Sequence, residues 1–175
     1  MEGKADALQS KDKVPDGRSA REYCMGDFES YRHEPFGSLN RFIMFSYRWN
    51  IRPFIWGLKL ILHVQLPEAN ETPPPIRMAH PFGIFVASGT RLGRNCTLFH
   101  GVTLGHQRFG NRAGAPTLGN DVIVFPSTMI IGSVTVGDRA VIGAGSVVIT
   151  DVPADCIYAG NPARLVGMIG RAQKL

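Results

Sequence analysis

The sequence has only three cysteines, and they lie far apart along the chain: Cys24, Cys96 and Cys156. A disulfide framework or a zinc cluster needs several cysteines or histidines at short, regular spacings. We therefore expect neither a disulfide-stapled fold nor a metal site. Cys96 falls in the inward phase of the repeat described below, where a thiol behaves as a small apolar side chain.

The sequence also lacks an apolar run long enough to cross a bilayer, which takes about 20 residues. Its most apolar stretch, 54–66, is shorter and carries Lys59 and His63. Residues 1–20 are polar and charged, unlike a signal peptide, and are expected to form a flexible tail. We therefore expect a cytosolic protein.

The excess of positive charge is modest, since the formal net charge is +5. Basic residues interleaved with aromatics, as in 31–66, can indicate nucleic-acid binding. That stretch holds no recognised nucleic-acid motif, and its aromatics are spaced as on helices. No nucleic-acid partner is expected.

Residues 21–75 are predicted to form a helical segment that ends in a linker. Two short helices, 36–49 and 54–66, are separated near Pro53, because proline disfavours helix in the residue before it. The sequence "NETPPP" (70–75) is typical of a stiff linker.

Two interpretations of these helices stay open. They can cap an open end of the domain that follows, which shields apolar side chains and unpaired strand edges. Alternatively, they rest on the inner face of a membrane through residues 36–66. The cations facing the lipid headgroups would then be Arg41, Arg48, Arg52 and Lys59.

What the sequence does have is a six-residue repeat of aliphatic residues. Neither a helix period of 3.6 nor a strand alternation of 2 produces this spacing. A second slot, four places after most of the aliphatics, holds a small or β-branched residue. The aliphatic slots are Val86, Leu92, Leu98, Leu104, Leu118, Val124, Ile130, Val136, Ile142 and Val148. The second slots are Thr90, Cys96, Val102, Val122, Thr128, Val134, Ala140 and Ser146.

Repeats of this kind bury their apolar face by stacking on one another. Each inward aliphatic side chain then contributes about 1.5–3 kcal/mol to stability. The chain has 20 glycines, and several directly follow an aliphatic slot. These glycines indicate tight corners, where the backbone needs a positive φ.

The repeat region resembles the hexapeptide-repeat acyltransferases over about residues 76–170. The resemblance implies a mainly β fold, a left-handed parallel β-helix over 76–150 with a C-terminal cap and tail over 151–175. It also implies a homotrimer, because active sites in that superfamily form between adjacent β-helices.

The segment "MAHPFGIFVASGTRLGRNCTLFHGVTLG" (78–105) is most similar to serine acetyltransferases and to enzymes that acetylate capsule, colanic-type or lipopolysaccharide sugars. The similarity places the general base of the serine enzymes at His80, and the Asp that precedes it there is Ala79 here. A histidine suits this role because its pKa lies near neutrality. His80 also falls in the aliphatic phase of the repeat.

The sugar enzymes carry residues like "HGVTLG", which makes His100 a second catalytic candidate. After Leu104 comes an excursion loop of the same length as the one that supplies an Arg-His pair in the serine enzymes. Equal-length alignment puts Gly114 and Ala115 at that pair. His106 and Arg112 on this loop are the candidate substrate contacts.

The stretch "IGAGSVV" followed by "AGNPARLVG" resembles the acetyl-CoA groove of the superfamily. Small residues beside a straight backbone ladder suit a long pantetheine arm, and an arginine suits a CoA phosphate. The candidate donor-binding residues are Ala144, Gly145, Ser146, Gly160, Pro162 and Arg164. No Ser or Cys nucleophile with a partnering base is evident, which favours direct transfer.

Together these features predict an acetyl-CoA-dependent O-acetyltransferase that acts on a sugar or saccharide hydroxyl. Serine O-acetyltransferase is the alternative within the same chemistry. A non-catalytic or metal-binding hexapeptide protein is the alternative from another class, since His80, His100 and His106 could supply three zinc ligands.

Overall fold

A computed structural model describes residues 41, 43, 45, 52–66 and 76–169. All of these lie within one compact unit, Phe36–Arg171. The predictions for the tail 1–20, the linker 70–75, Cys24, Arg48 and most of the helix 36–49 fall outside the described residues.

Twelve of the strands wind into a three-faced parallel coil. The first face is β1-β4-β7-β10-β12, the second is β2-β5-β8-β11 and the third is β3-β6-β9. The strands are β1 (Arg77–Ala79), β2 (Phe85–Val86), β3 (Arg91–Leu92), β4 (Thr97–Phe99), β5 (Thr103–Gly105), β6 (Thr117–Leu118), β7 (Ile123–Val124), β8 (Met129–Ile131), β9 (Thr135–Val136), β10 (Val141–Ile142), β11 (Val147–Val148) and β12 (Cys156–Ala159). The prediction of a parallel β-helix is confirmed.

The length of each coil follows the six-residue repeat. Equivalent positions in neighbouring regular coils are 18 residues apart, as between Asn120 and Asp138. The coil that contains the excursion loop spans 26 residues, as between Asn95 and Asp121. Eight extra residues therefore leave and re-enter the coil without disturbing the stacking on either side, as in the pairs Leu104–Ile130 and Ile130–Val148.

The interior is filled by the two predicted slots. Every aliphatic slot is buried except Leu92, which is half-buried. The second slots are buried as well, and three of them are hydroxyl residues, of which Thr90 has no hydrogen-bond partner for its hydroxyl among the described residues. The Thr128 and Ser146 hydroxyls both donate to the Gly143 carbonyl, over 2.9 and 2.6 Å. The repeat therefore identified the core.

His80 departs from the predicted register. Met78, not His80, pairs with Leu98 across the first face, so Met78 fills the inward slot and is buried. His80 lies in the turn after β1, is exposed, and has a φ of 56°. The placement of His80 in an inward aliphatic slot was wrong, because the first coil is longer than the repeat predicts.

The N-terminal end of the coil is covered by the segment before it. Helix α1 (Arg52–Ile61) leads into an extended stretch in which Gln65 pairs with Phe85 of β2. Val64 and Leu66 join the buried core, as does Ile43. The capping interpretation is confirmed for these residues. None of the described helices is long and apolar enough to span a membrane.

The helix predicted over 54–66 is shorter than expected at its C-terminal end. It ends at Ile61 because the Gly83 amide donates to the Leu62 carbonyl and the Gln65 amide donates to the Ile84 carbonyl. Pairing with the first coil thus competes with helix formation, and His63 takes a φ of 51° at the change of direction.

Parallel stacking continues past residue 150 before the chain turns back. Strand β12 pairs in parallel with β10, and β13 (Arg164–Met168) then pairs antiparallel with β12. Ala163 is buried beneath this hairpin, and its amide donates to the Val147 carbonyl. The antiparallel strand thus occupies the edge of the first face.

Cys96 is buried, as its slot predicted. Its thiol donates to the carbonyl of Gly119 in the next coil over 3.1 Å. Burial raises the pKa of the Cys96 thiol to about 11. The thiol therefore stays protonated and acts as a packing group.

Two glycines provide a test of how tightly the coils stack. A Cβ at Gly93 would overlap the backbone of Gly119, whereas one at Gly57 in α1 meets nothing within 4 Å. We expect Gly93→Ala to lower the free energy of unfolding by about 3 kcal/mol. Gly57→Ala should leave it unchanged or raise it by up to about 1 kcal/mol. Equal denaturant midpoints for the two variants would contradict this account of the corner.

Candidate active site

One corner of the prism, between the first and second faces, collects most of the predicted site residues; we call it the histidine corner. Its successive turns are 80–83, 100–101, 126–127, 144–145 and 160–162. Backbone hydrogen bonds join them in order: Gly101 N–H to Phe82 O, Ser127 N–H to His100 O, and Gly145 N–H to Pro126 O. Residues far apart in sequence therefore form one continuous edge.

The structure brings His80 and His100 together at the first two turns of this corner. Their ring centroids are 6.4 Å apart and the rings meet edge to face, at 68°. Both side chains are exposed. An exposed imidazole pair can accept a proton from a bound hydroxyl and pass it on, which is the chemistry predicted for His80.

No carboxylate directly precedes His80 in the chain, because the residue at that position is Ala79. Ala79 offers no side-chain acceptor, so it cannot fix the imidazole tautomer as an aspartate does. The adjacent polar ring is His100, one coil along the corner. The two histidine rings thus lie next to each other along the edge of the corner.

Two phenylalanine rings stack on the first face, and sequence reasoning missed them. Phe99 and Phe125 stack with centroids 5.0 Å apart and rings 12° from parallel. Each directly follows an aliphatic slot on the first face, one coil apart. The signal was present, because residues at equivalent repeat positions stack on each other. Phe99 directly precedes His100 and Phe125 directly precedes Pro126, so the stacked pair borders the histidine corner in sequence.

Farther along the corner, Ala144 and Gly145 form an open turn. Ala144 is exposed, and a Cβ at Gly145 meets nothing within 4 Å. Gly145 has a φ of 65°, which favours glycine. Its amide already donates to Pro126, so it is not available to a ligand. The turn therefore offers a ligand open space beside the backbone.

Ser146 follows this open turn, but its side chain points into the core. Its side chain is fully buried, where its hydroxyl donates to Gly143 O and accepts from the Gly160 amide over 3.1 Å. Ser146 therefore ties two turns of the corner together from inside. A contact between Ser146 and a donor would therefore involve its backbone, and the predicted binding role of Ser146 stays a prediction.

The turn at 160–162 closes the corner. Gly160 and Pro162 are exposed, and the Asn161–Pro162 peptide bond is cis. Arg164 is exposed in β13, with one guanidinium nitrogen donating to the Ala163 carbonyl. The Val147 amide donates to the Gly160 carbonyl, which joins this turn to the chain just after Ala144. The roles of these residues in binding a ligand remain predictions.

The excursion loop leaves from a different corner, between the second and third faces. A two-residue bridge, Gln107 with Gly114, closes its base. Arg112 donates to the Asp151 carboxylate over 3.0 Å, and its carbonyl accepts from the Ser133 amide. Within one chain the structure therefore does not bring His106 and Arg112 to the histidine corner.

The third corner carries a ladder of paired polar side chains. Asn120 binds Asp138, and Arg139 forms a two-bonded ion pair with Asp155. Across the described part of the chain, no group of three or more His, Cys, Asp or Glu side chains is arranged to hold a metal ion. The polar groups of this corner bind each other.

The architecture and these repeats define the class of fold. Residues 115–150 match the family described as "Bacterial transferase hexapeptide (six repeats)". Together with the solved structures below, this match confirms the left-handed parallel β-helix.

Among known proteins, the chain is similar to serine acetyltransferases. It is 34% identical over 110 residues to the enzyme of Synechococcus elongatus, covering 62% of this chain and 44% of the relative. It is 36% identical over 87 residues to that of Helicobacter pylori, covering 50% of this chain and 51% of the relative. The chain thus spans about half the length of the curated relatives it matches.

Solved structures agree with this similarity. A serine acetyltransferase in complex with CoA superposes with a TM-score of 0.55 at 26% identity, covering 73% of this chain and 54% of that one. A serine acetyltransferase from Brucella abortus in complex with coenzyme A gives a TM-score of 0.61 at 22% identity, over 90% and 78% of the two chains. The second likeness shows the fold alone.

The Arg112–Asp151 pair generates a pH prediction. The Thr135 amide and then Arg112 hold the pKa of Asp151 below its usual range. The stability from this carboxylate is therefore present above the unfolded pKa, about 4. It is lost as the pH falls through the lower folded value.

We expect Arg112→Ala to raise the pKa of Asp151 only part of the way, because the Thr135 amide stays in place. An NMR titration of the Asp151 carboxyl measures this. Arg139→Ala is the matched control, since it removes an exposed Arg–Asp pair at the third corner and should leave Asp151 unchanged. If the pKa of Asp151 is the same in Arg112→Ala as in the native protein, the ion pair does not form in solution.

Proposed function

We propose that this protein is an acetyl-CoA-dependent O-acetyltransferase with its active site on the histidine corner. The observation that carries the proposal is the contact between His80 and His100 on the same edge as the open turn at Ala144. A base and a channel for a long donor are the two things the reaction requires. The similarity to serine acetyltransferases, one of them in complex with CoA, supports it.

In the proposed reaction the acceptor hydroxyl gives its proton to His80 as its oxygen attacks the thioester carbonyl. The new C–O bond forms and the C–S bond breaks. The proton then returns from His80 to the departing CoA thiolate, so the histidine is regenerated. No covalent intermediate on the protein is needed, in agreement with the prediction of direct transfer.

The donor fits the second half of the corner. A pantetheine arm can lie across Ala144 and Gly145, because the turn projects no side chain larger than a methyl group there. The turn at Gly160 and Pro162 limits the far end of this path, and Arg164 offers a cation to a phosphate. These residues therefore suit CoA through shape and one charge.

Serine is the acceptor that the relatives favour. The main expectation from the sequence was a saccharide hydroxyl, and the comparisons back the serine alternative better. Because the chain covers about half of those relatives, serine stays part of the proposal. An amino-acid acceptor requires a cation for its carboxylate, ideally an arginine.

A saccharide acceptor remains the second candidate on one structural observation. Arg112 is bound to Asp151 and lies away from the histidine corner of its own chain. Ala79 also replaces the acidic residue that precedes the base in the serine enzymes. A neutral sugar requires neither a free arginine for a carboxylate nor an acidic residue before the base.

A homotrimer completes this proposal. The excursion loop and the histidine corner lie at different corners of the same prism, so a neighbouring copy could bring its loop to the histidines. His106 and Arg112 would then contact the acceptor across the interface, as the sequence resemblance predicts. In this arrangement one chain supplies the base and the next supplies the loop.

The metal-binding alternative has less support. His106 lies on the excursion loop and not beside the pair His80 and His100. The described residues contain no three-ligand cluster. A zinc site would therefore need ligands from another chain.

The base at His80 is tested by His80→Ala and His80→Asn. Both should lower kcat by roughly 10²- to 10⁴-fold with little change in the KM for acetyl-CoA, because neither side chain takes up a proton at neutral pH. Thiol release from acetyl-CoA is the readout, and His63→Ala controls for loss of an exposed histidine. Full activity of both variants at unchanged melting temperature would end the assignment of His80 as base.

The acceptor is tested by comparing L-serine, serinamide and a panel of hexoses under the same assay. If serine is the acceptor, serine should turn over and serinamide should lose about tenfold or more in kcat/KM, because its carboxylate is blocked. Turnover of hexoses alone would establish the second candidate. Absence of transfer to every hydroxyl compound, with CoA still bound, would reject the proposed activity.

A further inference from the structure

Helix α1 is apolar on the side that faces water as well as on the side that faces the core. Ile55 packs against the buried cluster, together with Leu62 just beyond the helix. On the other side, Trp56 is 70% exposed, Leu60 61% and Ile61 72%. A surface helix of a soluble domain normally carries polar residues on its outer side. This outer side, defined by Trp56, Leu60 and Ile61, is the apolar face of α1.

The charged residues in the sequence around this face are all basic. No Asp or Glu occurs between Glu34 and Glu68, while four Arg or Lys residues do. Of these, Arg41 is exposed, and Lys59 lies on α1 at the edge of the apolar face, half-buried. The region therefore offers apolar side chains and positive charge together.

We propose that the apolar face of α1 binds the surface of a membrane that contains anionic lipids. A tryptophan with aliphatic neighbours at the outer side of a short helix suits the boundary between headgroups and acyl chains. Lys59 on the same helix, and the other basic residues of this part of the sequence, add attraction to anionic headgroups, each worth about 1 kcal/mol near the surface. The proposal does not depend on the proposed activity.

A second copy of the chain fits the same face less well. Two identical copies that paired through α1 would bring Lys59 and its neighbouring cations close to their own equivalents, which is unfavourable. Three side chains also cover far less than the roughly 1,200 Å² that a stable interface buries. A flat anionic surface has neither problem.

The geometry of the chain lets such contact occur without unfolding the coil. The extended stretch after α1 is bound to the first coil through Gln65 and Leu62, so the coil holds the helix from its inner side. The outer side needs no rearrangement to meet lipid. This proposal gives the predicted cytosolic protein a place at the inner face of the membrane.

The test is co-sedimentation of the full chain with vesicles of phosphatidylcholine, alone or with phosphatidylglycerol. We expect binding to the anionic vesicles that weakens at high salt. Trp56→Gln/Leu60→Gln should weaken it by about tenfold or more, because the apolar anchors are removed. The matched control is Phe109→Gln, which removes an apolar side chain 82% exposed on the excursion loop and should leave binding unchanged.

A second measurement covers the case in which the double variant fails to fold. The sequence has two tryptophans, so Trp56 is the one that remains in a Trp49→Phe chain. Its fluorescence should shift to the blue with anionic vesicles and be quenched by brominated lipid. No binding of the native chain, or equal binding of the double variant, overturns the proposal. The proposal is also overturned if Trp56→Gln/Leu60→Gln changes only the size of the assembly and not the binding to vesicles. The apolar face would then join copies of the chain.

Discussion

The stacking of one coil directly on the next governs this structure. Each coil donates its amides to the carbonyls of its neighbour, as Thr97 does to Val122 and Ile123 to Ala140. Such a ladder holds only if equivalent residues of successive coils lie in register. The inward side chains must therefore match in size, and the corners must turn in the same way each time. Left-handed residues at repeated positions, such as Asn95, Asp121 and Arg139, show that requirement in the backbone.

Register also creates the candidate site. Because each corner residue lies over its equivalent in the next coil, a single edge gathers His80, His100, Ala144 and Gly160 from across the sequence. Their spacing is then set by the separation of adjacent strands, about 4.8 Å. That makes an edge of this kind suited to a long, linear ligand and less suited to a deep pocket. The proposed acceptor site accordingly calls for a second surface, which a neighbouring copy would supply in the proposed trimer.

Departures from register are equally informative. The excursion loop adds eight residues at one corner, yet the strands on both sides pair as if it were absent. The loop therefore does not disturb the stacking of the core, and it is held in place by Arg112 and Gln107. The longer first coil, in contrast, does change which residue faces inward, since it turns His80 outward. Both departures contain candidate site residues, because the repeat does not dictate the residue at these positions.

The sequence alone determined the class of fold and nearly all of the core, because a six-residue period admits few other structures. It also indicated the edge that carries the candidate donor site, since small residues and turn residues recur there in phase. Only the tertiary structure decided that Met78 and not His80 points inward, that α1 ends at Ile61, and that Arg112 binds Asp151. Each of these depends on pairing between residues distant in sequence, which a local period does not contain. Pairing across coils likewise placed the ring of His100 against that of His80.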